Sequence, residues 1–246
     1  MTALGVPRWF TLGTRDLDSA SAFYAALFGW TVAETAGGTH FLLDGDPVAA
    51  LREPSEVVPA GWLPWLEGGD LPNTIDAVIG AGAKLVATTP DGKGALIEDP
   101  GEAVFGLGSP PHTDDGHRFW DSNCVMWIEA KVVDHSSDVV FLRKVFDYEF
   151  LPPAGPGGVE VFKIDGRGYG GAMSFDDRWE GHREPHWFLY MAVDSVDDAV
   201  AAAEASGGSV WFPPFTTPIG RIAYLRDPEG FAFAVTQRSA AGPRGA

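Results

Sequence analysis

The chain has 246 residues, 45% hydrophobic and 12% aromatic, enough to bury one large core or two ordinary ones. Its formal net charge of −17 repels phosphate backbones and argues against a nucleic-acid partner. A single cysteine, Cys124, excludes an internal disulfide and a cysteine-built zinc site; with no basic–apolar leader and no long apolar run, a cytoplasmic protein with no membrane partner is expected.

The first predicted element is a strand around Trp9. Asp16 or Asp18 can cap the helix that follows, in which Ala20, Phe23, Tyr24, Leu27 and Phe28 recur at helical spacing before Gly29 ends it. His40 to Gly45 reads as a strand entering a hairpin turn, and a short helix is expected around Ile75 to Ala81. Asp91-Gly-Lys-Gly94 is a hairpin turn, because the full phosphate-loop pattern is absent. The Asp99-Pro turn leads into a strand ending at Leu107, and Ser109 to His117 is a polar linker.

Beyond the linker the pattern returns. Trp9, Asp16, Phe23, Phe28 and Trp30 correspond to Trp127, Asp134, Phe141, Phe146 and Tyr148 at a constant offset of 118 positions. His40 to Gly45 matches Val161 to Gly166, and the loop Pro152 to Gly158 absorbs the change in offset. A helix around Val196 to Ala205 and the Asp227-Pro turn with its strand complete the second copy. The expected halves are residues 1–112 and 113–246, each holding two strand–helix–strands units.

Arg15-Asp-Leu-Asp, Ala22-Phe-Tyr, Leu27-Phe-Gly-Trp30, Ala192 to Val200 and the two Asp-Pro endings, in this order, resemble the vicinal-oxygen-chelate superfamily. That superfamily includes glyoxalase I, bleomycin-resistance proteins, fosfomycin-resistance enzymes and extradiol dioxygenases. The layout looks most like the two-half actinobacterial members labelled hydroxylases or glyoxalase-like proteins. The resemblance implies an α+β fold of four βαβββ modules, forming two curved mixed-sheet cups with helices outside.

It also implies where a divalent metal is held in metal-using relatives: by His, Gln or Glu on the first strand of a module and the last strand of a module pair. Carried onto this chain, those positions fall on Trp9, about Pro64, Trp127, Phe188, Gly106 and Ala234, none a metal donor. His182 and His186 have a four-residue spacing, but Pro185 between them argues against a shared helix face. His112 and His117 lie in the linker. Neither a metal nor another cofactor is expected.

Strand alternation then proposes what the cups hold. Val125, Trp127 and Glu129 would share one face, as would His186, Phe188 and Tyr190, and Pro7, Trp9 and Thr11, with Trp62 and Pro64 as further candidates. Apolar walls with a few polar groups are the usual makeup of a small-molecule site. The alternative is that Trp9, Trp127 and Phe188 fill the space a metal once held.

Three functions remain open. The first is a metal-independent binding protein that holds an apolar or aromatic metabolite, or a drug-like natural product, against Trp127, Phe188, Val125, Trp9 and Thr11. The second is a metal-independent isomerase, lyase or cyclase with Glu129 as base and Tyr190 or His186 as acid, since a carboxylate among aromatics suits proton transfer. The third is an interaction protein with closed cups. The second half is expected to be the more functional, as a monomer or homodimer whose partner is a small molecule.

Overall fold

The computed structural model describes residues 3–35, 37–108, 118–153, 158–179, 182–217 and 220–238. The first half runs β1 (Pro7–Gly13), α1 (Leu17–Phe28), β2 (Thr31–Thr35), β3 (Gly38–Leu43), β4 (Asp46–Arg52), β5 (Gly61–Leu66), α2 (Leu71–Gly80), β6 (Lys84–Thr88), β7 (Gly94–Glu98) and β8 (Val104–Gly108). The second repeats it: β9 (Val125–Val132), α3 (Ser136–Phe146), β10 (Glu149–Leu151), β11 (Glu160–Ile164), β12 (Arg167–Ser174), β13 (His186–Ala192), α4 (Val196–Ala205), β14 (Ser209–Thr217), β15 (Gly220–Arg226) and β16 (Ala232–Arg238). A single 3-10 turn, Asp177–Trp179, precedes β13.

Each half forms one open, mixed, eight-stranded sheet, in the orders β2-β3-β4-β1-β5-β8-β7-β6 and β10-β11-β12-β9-β13-β16-β15-β14. In every module the last strand returns parallel to the first, as β4 does to β1 and β16 to β13. The two modules of a half join antiparallel at the centre, β1 to β5 and β9 to β13. The four βαβββ modules expected from the repeat are therefore present, paired within each half.

Local chemistry sets the helices. Asp16 accepts a hydrogen bond from the Ser19 amide at 2.9 Å, and Gly29, at φ 69°, takes the left-handed C-cap, so α1 begins and ends where its sequence asks. Its stripe of Ala20, Phe23, Tyr24 and Phe28 is buried. The second helix starts earlier than its apolar spacing indicates. Asp70 caps it and a proline occupies its first turn, a signal that periodicity alone passes over.

The helix-bearing faces of the two sheets pack on each other. One apolar core runs through both halves, with Phe233 against Phe23 and Tyr24, and Phe105 against Phe141 and Trp187. Reciprocal bonds tie the halves: Trp30 Nε1 donates to the Asn123 carbonyl at 2.8 Å, and the Tyr148 hydroxyl donates to the Gly5 carbonyl. All four residues are matched by the same 118-position offset. The first sheet ends at Gly108 and the second begins at Val125. The expected boundary at 112, the linker and its two histidines lie outside the described residues. The opposite, helix-free face of each sheet carries a separate cluster, and these two faces are the cups.

Candidate functional site in the two cups

In the second cup, Trp127, Glu129 and Lys131 alternate along β9 and lie in register with Tyr190, Phe188 and His186 of β13. The Glu129 carboxylate accepts from Tyr190 Oη at 2.7 Å and from Trp127 Nε1 at 2.9 Å, and it forms an ion pair with Lys131 Nζ. Lys131 is fully buried; its ammonium also meets Met173 Sδ at 2.6 Å and stands 5.0 Å from the centre of the Trp179 ring. Burial and the neighbouring Glu129 charge push the Tyr190 phenol well above its ordinary range, so it stays a donor. Trp179, Phe188 and Tyr224 pack over this array.

His186 stands at the start of β13. Its Nδ1 donates to the Glu184 carbonyl at 2.8 Å, which leaves Nε2 as a lone pair, buried and without a partner. Desolvation lowers its pKa, and the Lys131 charge lowers it further. An imidazole held neutral in this tautomer offers a base at Nε2, so the acid role expected of His186 does not fit the geometry. His182 and His186 both line a cleft of about 370 Å³ between the halves, where His182 Nε2 accepts from Arg226 at 2.8 Å.

Val125 also departs from expectation. Pairing jumps from Tyr190–Trp127 to Met191–Val125, so Met126 is a bulge residue and the alternation breaks. Met126 and Trp127 pack on the cup side, whereas Val125 joins the core beneath the helices.

In the first cup, Trp9, Ala50, Leu63, Trp65 and Leu96 form the floor. Trp65 Nε1 donates to Thr11 Oγ1 at 3.0 Å. Leu63 and Trp65 face the cup, so Pro64 and Trp62 belong to the other side; Trp62 Nε1 bonds the Tyr24 hydroxyl at 2.9 Å. Above the floor lies a cavity of about 270 Å³, lined by Trp9, Thr11, His40, Arg52, Val57, Val58, Trp65 and Lys93, among others. His40 Nδ1 donates to Thr35 Oγ1 at 2.6 Å and Nε2 accepts from Arg52 Nη2 at 3.3 Å. Arg52 also binds the carbonyls of Gly37, Thr39 and Leu51, fixing it across the cup wall.

A β8 side chain cannot enter this floor. A Cβ on Gly106 would sit 2.2 Å from the Trp65 ring. Gly106→Ala is expected to cost about 1–3 kcal/mol by overpacking, read as a lower denaturant midpoint with an unchanged slope. A neutral result would mean that Trp65 does not lie against β8.

A family model described as the Glyoxalase/Bleomycin resistance protein/Dioxygenase superfamily matches residues 7–235 of the chain. The chain belongs to this superfamily. Within it, the chain is 30% identical to the anthracycline biosynthesis protein DauV of a Streptomyces species, covering 99% of this chain and 97% of DauV. It is likewise 30% identical to the anthracycline biosynthesis protein DnrV of Streptomyces peucetius, covering 96% of this chain and 94% of DnrV. Among solved structures, the Mn(II)-bound glyoxalase from Novosphingobium aromaticivorans superposes with a TM-score of 0.67 at 19% identity, covering 96% of this chain and 83% of that one.

The superfamily raises the question of a divalent metal, and the donors present do not fit one. Of the positions implied, Trp9 and Gly106 lie on central strands of the first sheet, Trp127, Phe188 and Ala234 on those of the second, and Pro64 is turned away from the first cup, where Trp65 stands instead. Among the described residues no three His, Cys, Asp or Glu side chains gather. In the second cup the Glu129 carboxylate already holds an ammonium cation.

Sequence reasoning missed Lys131, although the alternation that selected Trp127 and Glu129 extends to it. It also missed His40, Arg52 and Trp65. Strand order alone brings those into the cup, through the pairing of Ala50 with both His40 and Thr11.

Proposed function

We propose that this chain is a small-molecule-binding member of its superfamily, holding an apolar, ring-bearing molecule in the first cup without a metal. The observation that carries this reading is the cavity of about 270 Å³ between Trp9, Trp65, Val57 and Val58. Its size approaches the lower end of ordinary ligand sites, and its walls are apolar with a few fixed polar groups. The two anthracycline biosynthesis relatives are consistent with a polycyclic ligand or a fragment of one.

A second reading keeps chemistry in the other cup, with Glu129, Tyr190 and His186 as the reacting groups beside Trp127 and Phe188. What favours it is a pair of buried polar atoms without partners, Trp179 Nε1 and His186 Nε2, in the layer over the Glu129–Lys131 pair. Buried polar atoms are satisfied in nearly all proteins, so a small polar molecule bound there would complete them. The third reading, an interaction protein, has no comparable observation behind it.

Titration of naphthamide, a neutral two-ring probe, into the chain and three variants separates the first two. Trp9→Leu and the cavity-filling Val57→Trp are each expected to weaken binding at least about tenfold. Tyr190→Phe is expected to leave it unchanged. The opposite pattern would move the site to the second cup, and loss of binding in all three at equal thermal stability would remove the assignment to either.

A further inference from the structure

We propose that the molecule held in the first cup carries an anionic oxygen, a carboxylate or ionised enol or phenol, set against Arg52 with Lys93 at the rim. This inference rests on the reading of the first cup as the binding site. It adds a charge to what would otherwise be defined only by shape.

The argument starts from charge balance. The chain has 17 basic residues against 34 acidic ones, so an uncompensated cation in a cavity wall runs against the composition. Arg52 and Lys93 both line the cavity. Among the described residues neither makes an ion pair. Arg52 is half-buried, and its terminal nitrogens donate to three carbonyls and to His40 Nε2, all neutral acceptors. They hold the guanidinium in place without neutralising it.

No acid among the described residues reaches Arg52 within ion-pair distance. Asp91 lines the same cavity as an anion on the Lys93 turn, its Oδ1 accepting from Thr89 Oγ1 at 2.6 Å and from the Lys93 amide at 3.0 Å; it offsets Lys93 in part and leaves Arg52 as the cation without a counter-charge. Glu34 is exposed and takes the Thr39 hydroxyl. Burial lowers the Arg52 pKa, with Glu34 a lesser, opposing influence, as expected of a cation short of a counter-charge. The guanidinium is fixed before any ligand arrives, so little side-chain freedom is lost on contact with an oxyanion. The Trp9 and Trp65 rings supply the flat apolar wall beside it.

The test compares naphthoate with naphthamide, which share a ring system and differ in charge, by calorimetric titration of the intact chain. Naphthoate is expected to bind about tenfold more tightly at low salt, with the gap closing as ionic strength rises. Arg52→Gln should bring naphthoate down to the affinity of naphthamide. The exposed Lys93→Gln, which disturbs no hairpin bond, should narrow the gap about threefold and keeps the test decisive if Arg52→Gln unfolds. Equal binding of the two probes by the parent chain overturns the anionic inference and leaves the first-cup reading standing. Failure of both probes to bind overturns both.

Discussion

Asp138→Asn is expected to stabilise the chain above neutral pH and to flatten the pH dependence of its stability. Asp138 on α3 and Asp99 in the β7–β8 turn are both buried where the two halves meet. Asp99 accepts from the Ala103 amide at 2.8 Å and from Trp187 Nε1 at 3.1 Å, and Asp138 Oδ1 accepts from the Gly101 amide at 2.9 Å. Asp138 Oδ2 is buried without a hydrogen-bond partner, and the two carboxyls act on each other. Burial raises both acids, Asp138 to about 6 and Asp99 well above its ordinary value, where the Asp138 charge adds to desolvation. Across the other junction, burial likewise raises Asp227 to about 6, where it accepts from the Tyr24 hydroxyl at 3.1 Å.

A folded pKa above the unfolded one gives stability that is fully present below about pH 4 and is lost as pH rises through the folded value. For Asp138 the loss spans about pH 4 to 6, and Asp99 acts in the same direction. A shift of about two units corresponds to roughly 3 kcal/mol. An asparagine amide at 138 can accept from Gly101 and donate to Asp99 at every pH, so the variant should gain on the order of 2–3 kcal/mol at pH 8 and little at pH 4. Urea melts at the two values check this; an equal effect at both would show that no proton is shared.

Lys131→Met should be far more damaging. It leaves the buried Glu129 carboxylate with only Tyr190 and Trp127 as partners. Breaking a buried pair by removing one member typically costs about 3–5 kcal/mol, because the remaining charge keeps its desolvation penalty without its attraction. Glu129→Gln strands the ammonium of Lys131 and should cost a similar amount. The double variant should be more stable than either single one. A Lys131→Met variant within about 1 kcal/mol of the parent would mean that the pair is reached by solvent.

The ion pair occupies the Glu129 carboxylate within the second cup, whereas the first cup holds a cavity of about 270 Å³.

The repeat of Trp9 to Trp30 in Trp127 to Tyr148, the helix caps and the Asp-Pro turns determine the modules and the family, because periodicity and capping are local and survive in a linear string. They also put no metal donor at the positions the resemblance implies, Trp9, about Pro64, Gly106, Trp127, Phe188 and Ala234. Alternation along β9 and β13 places Trp127, Glu129, Phe188 and Tyr190 on one face, and the structure sets them there. It fails at Met126, where one extra residue in the ladder turns Val125 to the other side.

Tertiary structure alone decides the rest. Whether Glu129 faces water or Lys131 depends on Trp179, which reaches the cup from a turn outside the sheet. The Asp99–Asp138 pair exists because helix α3 of one half meets the β7–β8 turn of the other. Arg52 enters the first cup because β4 pairs parallel to β1, setting residues about forty positions apart side by side. Each is a contact between segments distant in the chain, fixed by how the shared core packs, and no window of sequence contains both partners.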